Sequence, residues 1–306
     1  MSISKTEFGF FRGYKCWLFT LANSNGAVAR LTNFGGAVVG LEVPDRNGKN
    51  ADVVLGYDTL QGYIDGNSSH GALVGRYANR IANGEITVSG KTYKLDQNDK
   101  TNTLHGGSYS YNKRVWTVDA MDGGDEPSVT FGYISPDGEG NFPGTLRINV
   151  KYTLTNENAL VLDYTAVPDA DTVINLTNHS YFNLNGEGDI LGQKLRIYAS
   201  NYLEGNNQTC PTGAILPVAD TPMDFTAGKL IGREIDTGFA QTTMVGGGYD
   251  HCFVIDRARG SSQSICAWAT SDKTGISMKL YTTQPGIQLY TANFLQDCPS
   301  PGKGGK

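Results

Sequence analysis

The stretch VINLTNHSYFNL places a histidine among side chains that form hydrogen bonds. His179 shares its parity with the polar residues Asn175, Thr177, Tyr181 and Asn183, and the apolar residues Ile174, Leu176, Phe182 and Leu184 have the other parity. On one regular strand, His179 would therefore project from a polar face. Such a face is either a solvated outer surface or a set of hydrogen-bonding groups for a polyol. Periodicity alone leaves both interpretations open.

The segment GALVGRYANRI carries two arginines and an asparagine in an apolar, glycine-flanked setting. Cations in such a setting need a partner or a ligand. For Arg76 we favour a structural role, in which the guanidinium pairs with a carboxylate. Asn79 and Arg80 would face opposite ways on a regular strand, so both reach one ligand only if the backbone bends there.

Three further polar residues stand beside glycines or apolar runs. His105 precedes two glycines in NTLHGGSYS, which suits a pocket edge and a surface loop equally well. Asp250, after the glycine run of GGGYDHCFVID, could accept hydrogen bonds from hydroxyls or could cap the loop. Gln284 has the parity of Ile276 and Leu280, so a carboxamide on the buried side would need partners or a ligand.

The sequence lacks the motifs of several common classes of enzyme. The chain has no P-loop, no dinucleotide-binding glycine motif, no HExxH and no nucleophile elbow. A net charge of −5 gives no broad positive field, which argues against nucleic acid and anionic membrane as partners. The remaining histidines, arginine, aspartate and amides suit proton transfer on a neutral hydroxylated compound.

The elements that must position these residues are predicted to be strands. Hydrophobic residues alternate with polar ones in TLRINVKYTLT, ALVLDYTAV and ISMKLYTT, and ITVSGKTYKL reads as two strands joined by a turn. Glycine-rich clusters such as SPDGEGNFPG separate the runs, and amphipathic helices of a dozen residues are absent. We therefore expect a large antiparallel all-β sandwich that forms one domain over residues 1–306.

The location is predicted from segments that the sequence lacks and from its cysteines. The N-terminus shows no signal-peptide core, and no apolar run is long enough to span a bilayer. Five dispersed cysteines without CxxC spacing favour reduced thiols over a disulfide frame or a zinc site. We expect a cytoplasmic protein without a metal.

Taken together, the segments VGRYANRI, NTLHGG, SPDGEGNFPG, LTNHSYFNL, GYDHCF and TTQPGIQLYTANF resemble the aldose 1-epimerase (galactose mutarotase) family, in order and over nearly the whole chain. The resemblance implies a galactose mutarotase-like β-supersandwich. It also implies an isomerase that interconverts the α and β anomers of galactose, glucose and related aldoses, without metal or organic cofactor. A monosaccharide is then the partner, and the oligomeric state stays open.

The resemblance implies a role for each candidate residue. His179 would be the general acid that protonates the ring oxygen, because an imidazole titrates near neutrality. His105 would assist at the ring oxygen or at a neighbouring hydroxyl. The sugar hydroxyls would be held by Asn79, Arg80, Asp250 and Gln284. His251 is expected to be structural, since it would face away from Asp250 on a strand.

One catalytic group of the family has no counterpart among residues 1–306. The resemblance implies a general-base glutamate in a late SGFCLETQ-like segment, whereas this sequence has no glutamate after Glu234 and stops at Lys306. Either the chain is part of a longer protein, which we favour because the other motifs are intact, or it is a truncated, weakly active or non-catalytic sugar-binding protein. Loss of one base costs on the order of 10²–10⁴-fold in rate, and missing final strands would expose a sheet edge.

Overall fold

A computed structural model describes residues 1–258 and 260–305 and is nearly all β. The chain divides into two compact units. The first unit contains residues 1–44, residues 50–182 and the segment from Cys298 onward, and the second contains residues 45–49 and 183–297. The single domain expected over residues 1–306 stays a prediction.

The described residues of the first unit form strands, one short α-helix, α1 (Leu60–Asp65), and several 3₁₀ helices of three residues each. The strands are β1 (Ser2–Phe11), β2 (Tyr14–Ala22), β3 (Val28–Thr32), β4 (Ala37–Pro44), β5 (Asn50–Asp52), β6 (Leu73–Val74), β7 (Arg80–Ile81), β8 (Glu85–Val88), β9 (Lys91–Lys94), β10 (Thr103–Leu104), β11 (Thr117–Asp122), β12 (Ser128–Ser135), β13 (Leu146–Leu154), β14 (Leu160–Pro168) and β15 (Thr177–Asn178). Strands β1 to β5 form one sheet in sequence order, and β11 to β14 form another. Three two-stranded pairs, β7 with β10, β8 with β9 and β6 with β15, complete the unit.

The core of the first unit follows from the predicted alternation. In β13 the side chains of Leu146, Ile148, Val150, Tyr152 and Leu154 are buried, and the intervening residues are more exposed. These side chains pack with buried residues of β2, β3 and β12 in one hydrophobic cluster. Period-two alternation therefore predicted the buried face of this strand correctly.

The predicted hairpin of ITVSGKTYKL is also confirmed. Val88 of β8 pairs with Lys91 of β9, so the connection has two residues. Ser89 and Gly90 both have positive φ, 49° and 78°. A two-residue hairpin turn with two positive φ angles matches the right-handed twist of its strands.

Among its described residues, the second unit has eight strands, a short α-helix, α2 (Ala240–Met244), and two 3₁₀ helices, Ile231–Glu234 and Leu295–Asp297. Its strands are β16 (Lys194–Ile197), β17 (Asn201–Gly205), β18 (Pro211–Pro217), β19 (Lys229–Leu230), β20 (Asp250–Val254), β21 (Ser264–Thr270), β22 (Ser277–Thr282) and β23 (Gly286–Tyr290). They form two four-stranded antiparallel sheets, in the orders β19-β16-β21-β22 and β18-β17-β20-β23. In the described part of the chain, no helix is long and apolar enough to cross a membrane. The cytoplasmic location stays a prediction.

The stretch VINLTNHSYFNL is not the regular strand that its alternation predicts. Only Thr177 and Asn178 form a strand, β15, which pairs with β6. The Asn178 side chain ends it, because its Oδ1 accepts a hydrogen bond from the Ser180 N–H at 3.0 Å and its Nδ2 donates to the Gly71 carbonyl at 2.6 Å. Such a side-chain turn competes with strand pairing. His179 is therefore positioned by a turn, and the inference of a regular polar face was wrong.

Candidate active site

The two predicted catalytic histidines lie together in the first unit. The ring centroids of His105 and His179 are 5.2 Å apart, and the ring planes are nearly perpendicular, at 88°. The backbone of His179 is tied to the segment before β6, since its N–H donates to the Ala72 carbonyl at 2.8 Å and its carbonyl accepts from the Gly71 N–H at 3.0 Å. Both imidazoles are half-buried. The fold thus brings two proton-transfer groups from distant segments to one place.

His105 is held by two hydrogen bonds with Asn79. Its backbone N–H donates to the Asn79 carbonyl at 3.0 Å, and the Asn79 N–H donates to its Nδ1 at 3.0 Å. Because Nδ1 accepts, a neutral His105 carries its proton on Nε2. The next residue, Gly106, has φ 89°, and a Cβ there would lie 2.2 Å from the Gly75 carbonyl oxygen. The glycine that follows His105 is therefore required by this close backbone approach.

Burial favours the neutral form of both imidazoles. It lowers the pKa of His179 below its usual value. Burial also lowers the pKa of His105 to about 3, and the charges of His179 and Arg80 add to the effect. At neutral pH both rings are therefore largely uncharged and present N–H donors. An imidazolium formed at His179 is a stronger acid than one in water.

The bend needed between Asn79 and Arg80 is present. Asn79 has φ 67°, and β7 begins at Arg80. The Arg80 Nε donates to Asp99 Oδ2 at 2.7 Å, and the two side chains are 15% and 25% exposed. The Asn79 Oδ1 accepts from the Arg80 N–H at 2.8 Å. Asp99 therefore orients the guanidinium, a contact that the sequence did not suggest.

Arg76 is structural, but its partners differ from the expected carboxylate. The side chain is buried, and its Nη1 donates to the carbonyls of Pro143 and Gly144, at 2.8 Å each. Its Nη2 donates to the Ser135 hydroxyl at 2.8 Å. The guanidinium therefore fixes the loop before β13 through neutral oxygens. The predicted ion pair was wrong, because neutral carbonyl and hydroxyl oxygens accept hydrogen bonds from both Nη atoms of the buried cation.

Asp250 is the first residue of β20 in the second unit, and it has a carboxamide partner. Gln288 Nε2 donates to Asp250 Oδ1 at 2.7 Å. The two residues meet because β20 pairs with β23, with Cys252 opposite Gln288. Sequence reasoning missed Gln288. The available signal was the second glutamine of TQPGIQ, since a strand pairing of this segment with GYDHCF would bring it near Asp250.

Gln284 does not lie on the buried side of a strand, and that inference was wrong. Strand β22 ends at Thr282, and Gln284 is exposed in the bend before β23. The Gln284 N–H donates to Thr282 Oγ1 at 3.0 Å, and its carbonyl accepts from Arg257 Nη2 at 2.8 Å. Side chains alternate between two faces only within a strand, so counting from Ile276 does not predict the direction of Gln284, which follows the end of β22. Its role in substrate binding stays a prediction.

The remaining two histidines are the most buried of the four. His251 is 3% exposed, its Nε2 is hydrogen-bonded to Gln241 Oε1 at 3.1 Å, and burial lowers its pKa to about 4. These contacts agree with a structural role. His70 is 6% exposed and was missed by sequence reasoning. The available signal was its position directly before GALVGRYANRI. Among residues 1–258 and 260–305, no group of three or more His, Cys, Asp or Glu side chains could hold a metal ion.

Comparisons with known proteins agree on one family. The sequence profile described as aldose 1-epimerase matches residues 18–304. Galactose mutarotase of Rattus norvegicus is 37% identical over 319 residues, which cover 100% of this chain and 86% of that protein. Aldose 1-epimerase of Escherichia coli is 36% identical, with 93% and 81% covered.

Solved structures give the same result. An aldose epimerase homologue from C. elegans matches with a TM-score of 0.84 at 34% identity, covering 94% of this chain and 85% of that one. A galactose 1-epimerase from Lactobacillus acidophilus matches with a TM-score of 0.84 at 26% identity, covering 95% and 83%. These structures confirm the predicted all-β fold class.

Proposed function

The chain belongs to the aldose 1-epimerase family, and we propose that it interconverts the α and β anomers of aldohexoses, with galactose and glucose as substrates. The observation that carries this proposal is the pair of imidazoles, His105 and His179, whose centroids are 5.2 Å apart. Two proton-transfer groups at one place suit a reaction that moves protons on a neutral sugar. The name of the rat relative, galactose mutarotase, supports galactose as a substrate, and the name of the bacterial relative supports an aldose.

His179 acts as the general acid. It donates a proton to the ring oxygen while the bond between that oxygen and C1 breaks, and the C1 hydroxyl loses its proton as the aldehyde forms. Rotation about the C1–C2 bond presents the other face of the aldehyde. The C5 hydroxyl then attacks C1 and its proton returns to His179, while the C1 oxygen takes back the proton that it lost on ring opening, and the other anomer results. Because burial lowers the pKa of His179, its protonated ring gives up the proton readily to the sugar ring oxygen.

The other predicted residues bind the sugar. His105 offers its Nε2–H to the ring oxygen or to a neighbouring hydroxyl, an orientation supported by the bond from the Asn79 N–H to Nδ1. Arg80, oriented by Asp99, and Asn79 bind hydroxyls from the first unit. Asp250 accepts a hydroxyl hydrogen bond, and Gln284 donates one. The base that accepts the C1 hydroxyl proton is not assigned to a residue of this chain.

Polarimetry tests the proposal directly. Freshly dissolved α-galactose or α-glucose should reach its equilibrium rotation faster with the protein than in buffer. H179Q should lower kcat/KM on the order of 10²–10⁴-fold, the usual cost of losing an acid–base group. H251Q, which changes a buried histidine of the second unit, serves as the matched control. A wild-type protein no faster than buffer would reject the activity, and calorimetric galactose binding in that case would identify a non-catalytic sugar-binding protein.

A further inference from the structure

His70 lies within a series of aromatic rings in the first unit. Its imidazole meets the Tyr181 ring edge-on, with centroids 4.9 Å apart and planes at 84°. On another side it contacts Tyr57 at 5.0 Å. The Nδ1 atom of His70 is buried and has no hydrogen-bond partner among the described residues. This histidine is therefore held by ring contacts.

The ring series continues into the candidate active site. Tyr181 packs on His179 with centroids 5.0 Å apart and planes at 36°, and His179 in turn meets His105. The backbones of the same segments are also joined, since Gly71 and Ala72, the residues after His70, exchange hydrogen bonds with His179. A change at His70 thus reaches His179 through a single intervening ring.

We propose that His70 is a positioning residue, whose imidazole fixes the Tyr181 ring and thereby the orientation of His179. This inference rests on the proposed function, in which His179 is the acid. Proton transfer needs the donor nitrogen aimed at the ring oxygen, and small errors in placement are costly in rate. A ring that can turn, as His179 could if Tyr181 lost its support, would spend less time in the productive orientation.

His70 acts through its shape at neutral pH. Burial lowers its pKa to about 4, and the charges of His179 and Lys303 add to this effect, so the ring is neutral when the enzyme works. Another aromatic ring should therefore replace it. The buried Nδ1 of His70, which has no hydrogen-bond partner within the residues that the structure describes, also lowers the stability of the fold. Phenylalanine should therefore replace His70 without destabilising the protein. His70 also lines a small cavity together with Asn112 and Lys113.

Two substitutions separate positioning from mere stability. H70A should lower kcat at least fivefold and leave KM within twofold, whereas H70F should keep kcat within twofold of the wild type. V129A, which truncates a buried core residue of β12, is the control for loss of packing and should leave kcat unchanged. The proposal would be overturned if H70A had the kcat of the wild type, or if the kcat of H70F were as low as that of H70A.

A spectroscopic readout does not depend on the activity. The imidazole carbon–proton signal of His179, assigned by its loss in H179Q, should move in H70A and lie near its wild-type position in H70F. In V129A, which retains His70, the signal should stay at its wild-type position. An unmoved signal in H70A would overturn the positioning role even in an active enzyme. If the wild type showed no mutarotation, the proposed function would fail, and this signal would still decide whether His70 orients His179.

Discussion

Asn79 and His105 exchange two hydrogen bonds of 3.0 Å, one between their backbones and one from the Asn79 N–H to the imidazole Nδ1. Both residues have positive φ, 67° and 55°, so the backbone is turned at each end of the contact. The pair fixes which nitrogen of His105 can carry a proton. It also joins a predicted substrate-binding residue to a predicted catalytic one.

The first prediction concerns the tautomer of His105. Nitrogen-15 spectra at neutral pH should show Nε2 protonated and Nδ1 unprotonated. H105N keeps an acceptor near the Nδ1 position but lacks the Nε2–H, so kcat/KM should fall about a hundredfold, as for other lost donors to a reacting oxygen. H105Q, which retains a terminal N–H, should lose less. A protonated Nδ1 in the wild type would contradict the assignment.

The ion pair of Arg80 with Asp99 leads to the second prediction. R80K removes the planar guanidinium that can bind a hydroxyl and Asp99 together, so KM for galactose should rise about tenfold. D99N weakens the orientation of Arg80 and should raise KM by a smaller factor. Initial rates over a range of galactose concentrations measure both. An unchanged KM in R80K would show that Arg80 does not bind the sugar.

The two glutamines of TTQPGIQLYT allow a matched comparison. Gln288 donates to Asp250 at 2.7 Å, whereas the Gln284 side chain lies in an exposed bend. If Asp250 binds a hydroxyl, Q288A should raise KM several-fold, because the carboxylate loses the group that orients it. Q284A should raise KM only if its carboxamide binds the sugar as the family resemblance implies. A larger rise in KM in Q284A than in Q288A would contradict the importance of the hydrogen bond from Gln288 to Asp250.

The last prediction concerns stability at acidic pH. Burial lowers the pKa of His251 to about 4, against an ordinary value of 6.5, so between these values the unfolded chain binds the proton and the folded chain does not. The free energy of unfolding is therefore greatest above about pH 6.5 and falls as the pH drops toward 4. One such proton changes it by about 1.4 kcal/mol per pH unit.

Urea denaturation at several pH values measures this decline. H251Q removes the titrating group, so its free energy of unfolding should fall less steeply with decreasing pH than that of the wild type. His70 and His105, whose pKa values are also lowered, make the free energy of unfolding depend on pH in both proteins. Their contribution is the same in H251Q and the wild type, so the difference between the two slopes reports on His251. Equal slopes in H251Q and the wild type would show that His251 does not carry the effect.

Sequence patterns predicted the regular parts of the fold well. The alternation of apolar residues in β13 and the Ser-Gly turn between β8 and β9 are local properties, and both are confirmed. The motifs also identified the family and thereby pointed to His105 and His179. The conformation of irregular segments was harder to predict from the sequence. Alternation failed at Asn178, where a side chain replaces a strand partner, and at Gln284, which follows the end of β22.

The sequence by itself determined the all-β class, the buried face of regular strands such as β13, and the family, because these depend on local periodicity and on residue types in order. Only the tertiary structure decided which side chains meet. It placed Gln288 on Asp250, oriented Arg80 with Asp99, and connected His70 to His179 through Tyr181. Except for the contact between Tyr181 and His179, each of these contacts joins residues far apart in the chain. The pairing of strands and turns in three dimensions therefore sets the geometry on which proton transfer depends.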